Sequence, residues 1–414
     1  MAAPTAISID RPQQTNDLPD YGPLVAAPVS RACEAIVIIP ARDEREALPA
    51  ALSALAGQLD LCGRPLDRCR FEVIVLANNC VDDTAAVARA AAARYPGLAL
   101  HVVDLALPEP HAHVGAARRL LMDEAARRLL QTPRGACGVI VSTDADTRVA
   151  PDWLAATLAE VERGADAVGG RILVDPADLA RWGAVTRAWR LRDVGYRSLV
   201  SEIEWHIDPT PSDPWPRHFQ HFGPSIAVSV EAYERAGRLP VVAGLEDVGL
   251  YTALRRVDAR IRHSPAVRVV TSGREIGRAG FGFAVQLGLW TGMGDRHEPF
   301  LVESPAAIVS AADARRRLRR AWLARQQGSA RLPSPEIERL AADLCLTARE
   351  LAGLLEPALP FGAVLERVED LRAASGCWAE RWPPAEIGTA IAELRVRLAA
   401  LRQPPAFRSN RSSR

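Results

Sequence analysis

Two aspartates separated by one residue, Asp144 and Asp146, lie in the segment STDADT directly after the apolar run GVIV. The run predicts a β-strand, and carboxylates two positions apart at its end can face one cleft together. Carboxylate oxygens are the hard ligands that Mg²⁺ and Mn²⁺ prefer. A divalent cation held there would neutralise the charge that develops on a diphosphate leaving group. The alternative interpretation is a solvated turn, because aspartate is common in turns.

A second acidic pair, Glu246 and Asp247, begins the segment EDVGLYTALRR about 100 residues farther along the chain. The segment predicts a helix, and acidic side chains at a helix N-terminus are stabilised by the helix dipole. The pair can therefore be a simple helix cap. It can also be catalytic, with Asp247 as the general base that takes a proton from an attacking hydroxyl. In that case Glu246 positions the acceptor or the loop around it.

Four strand-like runs, each followed by a helical pattern, must position these carboxylates. Strands that alternate with helices predict an α/β fold with a doubly wound sheet. The ligand cleft of such a sheet lies beyond the carboxyl ends of the strands, which is where STDADT is found. The predicted pairs of strand and helix are 33–39 with 45–59, 71–77 with 82–95, 99–105 with 114–130, and 138–142 with 153–163.

The rest of the chain divides by composition. Residues 1–32 predict a disordered leader, 33–303 the α/β domain, 304–402 a helical C-terminal region, and 403–414 a disordered basic tail. The Pro- and Trp-rich segment 205–223 predicts a long functional loop or lid. We expect the helical region either to pack on the α/β domain or to form a homodimer contact.

The composition excludes several classes of function. The formal net charge is +1, from 51 basic and 50 acidic residues, so the basic excess that nucleic-acid binding requires is absent. The chain contains no lysine, which excludes Schiff-base chemistry and a Walker-type phosphate loop. The seven cysteines form no CxxC pair and no zinc-ligand spacing. We therefore expect neither a nucleic-acid partner nor a zinc centre.

The location of the protein is predicted from what the sequence lacks. The N-terminus has no basic start followed by an apolar stretch, and no segment approaches about 18 uninterrupted apolar residues. These features predict a cytoplasmic protein. The run FGFAVQLGLW at 281–290 has two interpretations, a buried helix or a peripheral contact with a membrane that carries a lipid-linked acceptor.

Five motifs follow one another along the chain: AIVIIPARDEREAL at 35–48, VIVLANNCVDDT at 73–84, VGAARRL at 114–120, TDADT at 143–147 and LEDVGL at 245–250. In this order and spacing they make residues 33–300 similar to the family 2 glycosyltransferases. This resemblance implies a GT-A fold, an α/β architecture with a doubly wound mixed sheet, here with a C-terminal helical appendix. It also implies a nucleoside-diphosphate-sugar donor and a Mn²⁺ or Mg²⁺ ion.

The resemblance assigns the nucleotide pocket to residues after the first two strands. Pro40, Ala41 and Glu44 are implied to line it, and Asn78 stands where the family usually has an aspartate that reads the base. This is a departure from the pattern, because an amide donates as well as accepts hydrogen bonds. We expect Asp82 and Asp83 to cap the following helix.

The resemblance also assigns the diphosphate and the metal. Asp144 and Asp146 are implied as metal ligands, with Asp144 leaning toward the ribose or sugar. His297, in the loop GMGDRHEPF, is the implied third ligand.

Three arginines are candidates for the phosphates. Arg118 is expected to approach the diphosphate or the sugar, with a surface salt bridge as the alternative. Arg274 and Arg278 lie in a Gly-rich loop and are expected to clamp phosphate.

These assignments imply transfer of one sugar to an acceptor hydroxyl with inversion, with Asp247 as the base. The acceptor is a small molecule or a lipid-linked molecule. The Gln-x-x-Arg-Trp motif of processive synthases is absent, which favours a single transfer. A nucleotidyltransferase is the alternative enzyme, although its Gly-rich opening is missing. A non-catalytic nucleotide-sugar-binding or scaffold protein is the alternative without chemistry. A Rossmann dehydrogenase lacks its GxGxxG signature.

Overall fold

The computed structural model describes residues 18–274, 277, 282–295, 298–327, 334–355 and 359–402. Ten strands lie in these ranges, and eight of them form one sheet. The strands are β1 (Ala35–Ala41), β2 (Phe71–Asn78), β3 (Ala99–Leu105), β4 (Val139–Ser142), β5 (Thr147–Val149), β6 (Ala167–Val174), β7 (Ile226–Ser229), β8 (Ile261–Thr271), β9 (Leu301–Val302) and β10 (Ala385–Glu386).

The large sheet is mixed, in the order β3-β2-β1-β4-β7-β6-β8-β5. Strands β1 to β4 run parallel to one another. Strand β7 runs antiparallel to both of its neighbours, β6 and β8 are parallel, and β5 is antiparallel to β8. The GT-A type of doubly wound mixed sheet predicted from the sequence is confirmed.

The apolar residues of strand β1 explain why this sheet lies at the centre of the α/β domain. All seven of its residues are buried, which fits the near-continuous apolar runs of parallel strands covered on both faces. Val37 and Ile39 pack in the cluster under the first helix, whereas Ile36 and Ile38 pack on the opposite face. Each such side chain contributes roughly 1.5–3 kcal/mol of hydrophobic free energy. The strand ends that carry the polar motifs are therefore held rigidly.

Fifteen α-helices lie among the described residues. They are α1 (Leu48–Ala56), α2 (Thr84–Arg94), α3 (Val114–Leu129), α4 (Trp153–Glu162), α5 (Pro176–Arg181), α6 (Ala184–Ile207), α7 (Val230–Arg235), α8 (Glu246–Arg256), α9 (Phe283–Asp295), α10 (Pro305–Gln326), α11 (Ser334–Asp343), α12 (Ala348–Leu355), α13 (Phe361–Ser375), α14 (Cys377–Arg381) and α15 (Ile387–Arg402).

The segment predicted as a disordered leader is partly ordered. Residues 18–32 form no helix or strand, but Val25 is buried in the core beside α3. Its carbonyl and that of Ala27 accept hydrogen bonds from the buried Arg128 guanidinium, at 3.4 and 2.7 Å. The prediction of disorder is therefore wrong for residues 18–32, because this polar, Pro-rich segment satisfies an interior arginine. Residues 1–17 lie outside the described residues.

The C-terminal helices divide into two packed groups. Helices α10 to α13 share an apolar core of their own, while α15 and the start of α10 pack against the long helix α6 of the α/β domain. The helical region thus contacts the α/β domain of its own chain, and a homodimer contact stays a prediction. Its described residues include the strand β10, which pairs with β9 and was not predicted.

Segment 205–223 differs from its prediction at the start. Residues up to Ile207 belong to α6, and an irregular loop with a single 3-10 turn follows as far as β7. Helix α9 buries Leu287 and Trp290 but exposes Val285 and Leu289, so FGFAVQLGLW is buried on one face only. Among the described residues, no helix combines the length and the apolar character needed to cross a membrane.

Candidate active site

The polar motifs meet at the carboxyl edge of the parallel strands. Beyond β4, the amide of Thr143 donates to the carbonyl of Ile38, so the chain leaves the sheet beside β1. A turn then joins β4 to β5, closed by a 3.1 Å hydrogen bond from the Thr147 amide to the Asp144 carbonyl. Ala145 is buried inside this turn. Asp144 and Asp146 flank it, and their carboxylates contact two different arginines.

The Asp144 carboxylate is bound by Arg118, which lies on α3. Its Oδ1 atom lies 2.8 Å from Nη2 of Arg118. The same guanidinium donates through Nε to Oε1 of Glu246, at 3.0 Å. Arg118 is 3% exposed, so the surface salt bridge considered for it is not what the structure shows. One buried arginine therefore joins the two acidic motifs that the sequence separates by about 100 residues.

Asp247 lies at the N-terminus of α8 and is half-buried. Its Oδ2 accepts a 2.7 Å hydrogen bond from the amide of Gly223, and Oδ1 accepts one from its neighbour Val248. Burial raises the pKa of Asp247 above the usual range of an aspartate, and the Asp144 carboxylate adds to this, although Arg118 opposes it. A carboxyl with a raised pKa in a cleft has the properties of a general base.

The turn before α8 is strained. Leu245 has φ +60°, in the left-handed region that a branched side chain rarely adopts. Such outliers cost of order 1–3 kcal/mol and persist where the surrounding structure determines them. Here the turn is followed by Glu246, which contacts Arg118, and by Asp247, which contacts the Gly223 amide. Glu246 is 4% exposed, and burial together with the Asp247 charge raises the pKa of its carboxyl, against the effect of Arg118.

Asp146 faces the other arginine. Nη2 of Arg274 lies 3.2 Å from Oδ2 of Asp146, and the same guanidinium forms a two-pronged ion pair with the buried carboxylate of Glu44. Burial raises the pKa of Asp146 to about 6, helped by the charges of Asp144 and Glu44 and opposed by Arg274. Three carboxylates thus crowd one side of the cleft, where Arg274 is the neighbouring cation.

The residues assigned to the nucleotide pocket lie around the ends of β1 and β2. Pro40 and Ala41 end β1 beside Leu76 and Ala77, and Asn78 ends β2. All four residues assigned to the pocket, including Glu44, are buried within the protein. The amide of Glu44 donates to Thr84 Oγ1 at 2.8 Å, which ties the loop after β1 to the start of α2.

A cavity of about 220 Å³ adjoins Asp146. Most of its polar lining is acidic, so a cation or a hydroxyl-rich group fits it better than an anion does. Its lining residues are Glu46, Ala47, Ala50, Asp146, Arg148, Asp175, Asp178 and Ser272.

A different acidic group has the spacing of metal ligands. Among the described residues, Asp43, Cys80 and Asp82 place one ligand atom each within 4.8 Å of one another. Their carboxylates already accept backbone hydrogen bonds, at Asp43 from the Val81 amide and at Asp82 from the Thr84 amide. This group therefore has a structural use, which is to join the loops after β1 and β2.

Only one of the two aspartates before α2 caps that helix with its side chain. Asp82 bonds the first amide of α2, whereas Asp83 makes no side-chain cap hydrogen bond. The expectation that both residues cap the helix is therefore wrong for Asp83. Arg278 and His297 lie outside the described residues, and their predicted roles in phosphate and metal binding stay predictions.

Histidines that sequence reasoning did not single out support α8. His221, two residues before Gly223, stacks on Tyr251 of α8 with ring centroids 3.6 Å apart and planes at 6°. His263 on β8 shares a 2.8 Å contact with the Asp213 carboxylate. Burial lowers the pKa of His218 and of His221 to about 3. These rings are therefore neutral in the folded protein at neutral pH.

Acidification is expected to lower the stability through these histidines. A histidine with a pKa of about 3 when folded and about 6.5 when unfolded stabilises the fold fully above pH 6.5 or so. That contribution is lost as the pH falls from about 6.5 toward 3, because the unfolded chain then binds more protons. The melting temperature should therefore fall on acidification, as calorimetry at a series of pH values would show. His221→Phe keeps the ring stack and should flatten this dependence; an unchanged slope would contradict the assignment.

Two further contributors to the site were missed because nothing in their sequence marks them. Gly223 acts through its backbone amide, which any residue type possesses. Ser142 lies in STDADT but was not assigned a role, and its hydroxyl contacts Arg118 and donates to the Gly223 carbonyl at 3.2 Å. A glycine before a strand and a serine at a strand end are both common, so position in the fold was needed to recognise them.

Comparison with solved structures finds weak likenesses. The mannosyltransferase PcManGT of Pyrobaculum calidifontis, solved with GDP-Man and Mn²⁺, is 18% identical, with a TM-score of 0.41 and 92% of each chain covered. Residues 1–349 of S. aureus TarS with UDP are 14% identical, with a TM-score of 0.41, 84% of this chain and 91% of that chain covered. M. tuberculosis glucosyl-3-phosphoglycerate synthase with Mn²⁺, UDP and phosphoglyceric acid is 17% identical, with a TM-score of 0.35, 66% and 82% covered. Likenesses of this degree say nothing about the substrate of this chain.

No curated protein matches the chain. Residues 36–226 match the profile of the family described as glycosyl transferase family 2. The match begins in β1 and ends at the first residue of β7, so it contains the β1 and β2 loops, Arg118 and the Asp144–Asp146 turn. Residues 36–226 are therefore a glycosyl transferase family 2 domain, and the protein that contains this domain is a glycosyltransferase.

Proposed function

We propose that the protein transfers a single sugar from a nucleoside-diphosphate sugar to an acceptor hydroxyl with inversion of the anomeric centre. In this proposal a Mn²⁺ or Mg²⁺ ion is held by Asp144 and Asp146, and Asp247 is the general base. Glu246 positions the acceptor side of the cleft. The acceptor is a small molecule or a lipid-linked molecule, and the cytoplasmic location stays a prediction from the sequence.

The proposal rests on one observation: the guanidinium of Arg118 contacts both acidic motifs. Asp144 Oδ1 lies 2.8 Å from its Nη2, and Glu246 Oε1 lies 3.0 Å from its Nε. Asp247 is the next residue along α8. The carboxylates proposed for the donor and the carboxylate proposed for the acceptor therefore line one cleft, as a displacement reaction between two bound substrates requires.

The residues of this cleft can complete the reaction. The acceptor oxygen forms a bond to the anomeric carbon while the bond from that carbon to the diphosphate oxygen breaks, and the diphosphate departs with the bonding electrons. The acceptor proton passes to a carboxylate oxygen of Asp247. Because Gly223 and Val248 hold that carboxylate by hydrogen bonds, it meets the hydroxyl in a fixed orientation.

The donor side fits a divalent cation. Asp144, Asp146 and Glu44 lie close together on this side of the cleft, and burial together with the charges of Asp144 and Glu44 raises the pKa of Asp146, against the effect of Arg274. Carboxylate oxygens also match the preference of Mn²⁺ and Mg²⁺. When bound, the cation would supply charge neutralisation for the departing diphosphate. Asp144 and Asp146 would hold it, with His297 as the predicted third ligand.

The nucleotide is proposed to bind along the ends of β1 and β2, at Pro40, Ala41, Glu44 and Asn78. Arg274 contacts both Glu44 and Asp146, so it lies beside the position proposed for the diphosphate. A guanidinium there can exchange a carboxylate for a phosphate, which offers the same paired acceptor geometry. Arg278 is proposed to assist it.

Binding of nucleotides to the wild-type protein tests the donor assignment. A ligand that binds only the folded state raises the melting temperature by mass action. We expect UDP or GDP to raise it in the presence of Mn²⁺ and to do so less after EDTA is added. Adenosine monophosphate serves as a control, because it lacks the diphosphate. An absence of any shift with all nucleoside diphosphates and their sugars would contradict the proposed donor class.

A further inference from the structure

Arg118 is unusual among the candidate residues because every nitrogen of its guanidinium already has a protein partner. Nε donates to Glu246 Oε1, and Nη2 donates to Asp144 Oδ1. Nη1 contacts the Ser142 hydroxyl and donates to the Gly223 carbonyl at 3.4 Å. With 3% exposure, the side chain offers no free face to the cleft. A diphosphate could reach it only by displacing these partners.

The charge of this group is balanced inside the protein. Burial of an unpaired guanidinium would cost several kcal/mol, but two carboxylates face this one. A third anionic group such as diphosphate is not needed to stabilise the charge.

Gly223 links the same guanidinium to the proposed base. Its carbonyl accepts from Arg118, and its amide donates to Asp247 Oδ2 at 2.7 Å. A Cβ atom at this position would lie 2.7 Å from Nη2 of Arg118, so the backbone can rest on the guanidinium only because the residue is glycine. The position of Asp247 therefore depends on Arg118 through the backbone of one residue, Gly223.

Helix α3 fixes the other side of the same junction. Gly115, one turn before Arg118, approaches the Val242 carbonyl so closely that a Cβ atom would lie 1.9 Å from that oxygen. Arg119 donates to the Leu239 carbonyl at 2.6 Å. The chain that leads into α8 is thus held against α3 at two points, which makes this helix a rigid support for the acidic pair.

We propose that Arg118 is a positioning residue, which sets the distance and orientation between Asp144 of the donor side and Asp247 of the acceptor side, and that it does not bind the diphosphate. This inference rests on the proposed function, because it takes Asp247 as the base. It differs from the expectation of the sequence, in which Arg118 approaches the diphosphate or the sugar.

Arg118→Lys tests this role, because lysine keeps the charge but cannot bond Glu246, Asp144 and Gly223 in one plane. We expect the Kd of UDP or GDP with Mn²⁺ to stay within about threefold of wild type, since no phosphate contact is lost. The kcat for metal-dependent release of nucleoside diphosphate from the sugar donor should fall by about 10²-fold, which a displacement of about 1 Å can cause. Titration calorimetry and steady-state kinetics measure the two quantities.

Arg118→Gln tests an effect on the pH dependence of the rate, which loss of a residue with a purely structural role would not change. The positive charge of Arg118 lowers the pKa of Asp247, so its removal should shift the acid limb of the pH–rate profile to higher pH. Arg118→Lys should restore the limb toward wild type while kcat stays low. If Arg118→Gln does not fold, the proposal is still tested by Arg118→Lys, in which kcat should fall while Kd stays near the wild-type value.

Arg128→Lys is the matched control. Arg128 lies near the other end of α3, is equally buried, and bonds Glu72 through Nε and Nη2 at 3.0 and 2.6 Å. Its lysine variant should melt at a lower temperature and keep wild-type kcat and Kd. Nucleotide binding weakened tenfold or more by Arg118→Lys would overturn the inference in favour of a phosphate contact. The inference would also be overturned if Arg118→Lys had the same kcat and Kd as Arg128→Lys. If Asp247→Asn were inactive in the same assay, the proposed function would still stand.

Discussion

Asp247→Asn is expected to lower the rate of sugar transfer by about 10²- to 10⁴-fold, because an amide cannot take the acceptor proton. The amide oxygen can still accept the hydrogen bond that the Gly223 amide donates to Asp247, and only the bond from the adjacent Val248 amide is lost. The variant should therefore bind nucleotide and Mn²⁺ like wild type and melt at a similar temperature. Initial rates of nucleoside diphosphate release, compared with Kd values from calorimetry, measure the separation of the two effects.

Two results would contradict this role of Asp247. A turnover near that of wild type would place the base elsewhere, with Glu246 as the next candidate. A melting temperature lowered by an amount that accounts for the lost activity would mean that the carboxylate mainly caps α8, a role worth about 1 kcal/mol. Glu246→Gln is the matched comparison, because it changes the neighbouring carboxylate, which bonds Arg118.

The pH dependence of the wild-type rate follows from the same carboxyl. A general base works only when it is deprotonated, so the rate falls as the pH drops through its pKa. Burial raises the pKa of Asp247. We therefore expect the acid limb of the kcat/KM profile to report a pKa above that of an ordinary aspartate, which is about 3.9.

Asp146→Ala is expected to abolish turnover that depends on Mn²⁺ or Mg²⁺. The substitution removes one of the two carboxylates proposed to hold the cation. Because burial raises the pKa of Asp146, its charge is not stabilised by folding, and the variant should fold normally. Rates measured over a range of Mn²⁺ concentrations, with circular dichroism for the fold, provide the check.

Asp43→Ala is the control for the metal assignment, because Asp43 belongs to the other acidic group, with Cys80 and Asp82. It should keep its metal dependence, with a loss of stability from the hydrogen bond to the Val81 amide. Undiminished metal-dependent turnover in folded Asp146→Ala would refute the assignment. If Asp43→Ala alone lost the dependence, the cation would belong to the other group.

The alternation of strands and helices could be predicted because the apolar pattern of each strand and helix is contained in a short stretch of sequence. The run ALHVVDL gave β3 its observed bounds, Ala99–Leu105, and α3 was predicted to within one residue of Val114–Leu129. Helix α6 was not predicted, since only six of its residues are fully buried and it carries charges along its length. The order of residues 18–32 also escaped prediction, because it depends on Arg128, a partner about 100 residues away.

The candidate site was predictable in its residue types but not in its connections. The two acidic motifs were recognised by spacing, and Arg118 by its place after the third strand. That one guanidinium joins them could not be read from the sequence, because the contacts from Arg118 to Asp144 and Glu246 arise from the crossing of α3, the β4 turn and α8. The amide of Gly223 has no side chain through which a pattern could identify it.

Phosphorus NMR of the reaction products tests the central claim most directly. The wild-type protein is incubated with Mn²⁺, acceptor alcohols and the UDP- or GDP-sugar that raises its melting temperature most. Transfer of the sugar from its diphosphate predicts that the donor signals are replaced by those of UDP or GDP, and that EDTA prevents this. Formation of nucleoside monophosphate and sugar phosphate would contradict the account and indicate nucleotidyl chemistry, and a donor that binds but stays intact would indicate a binding protein.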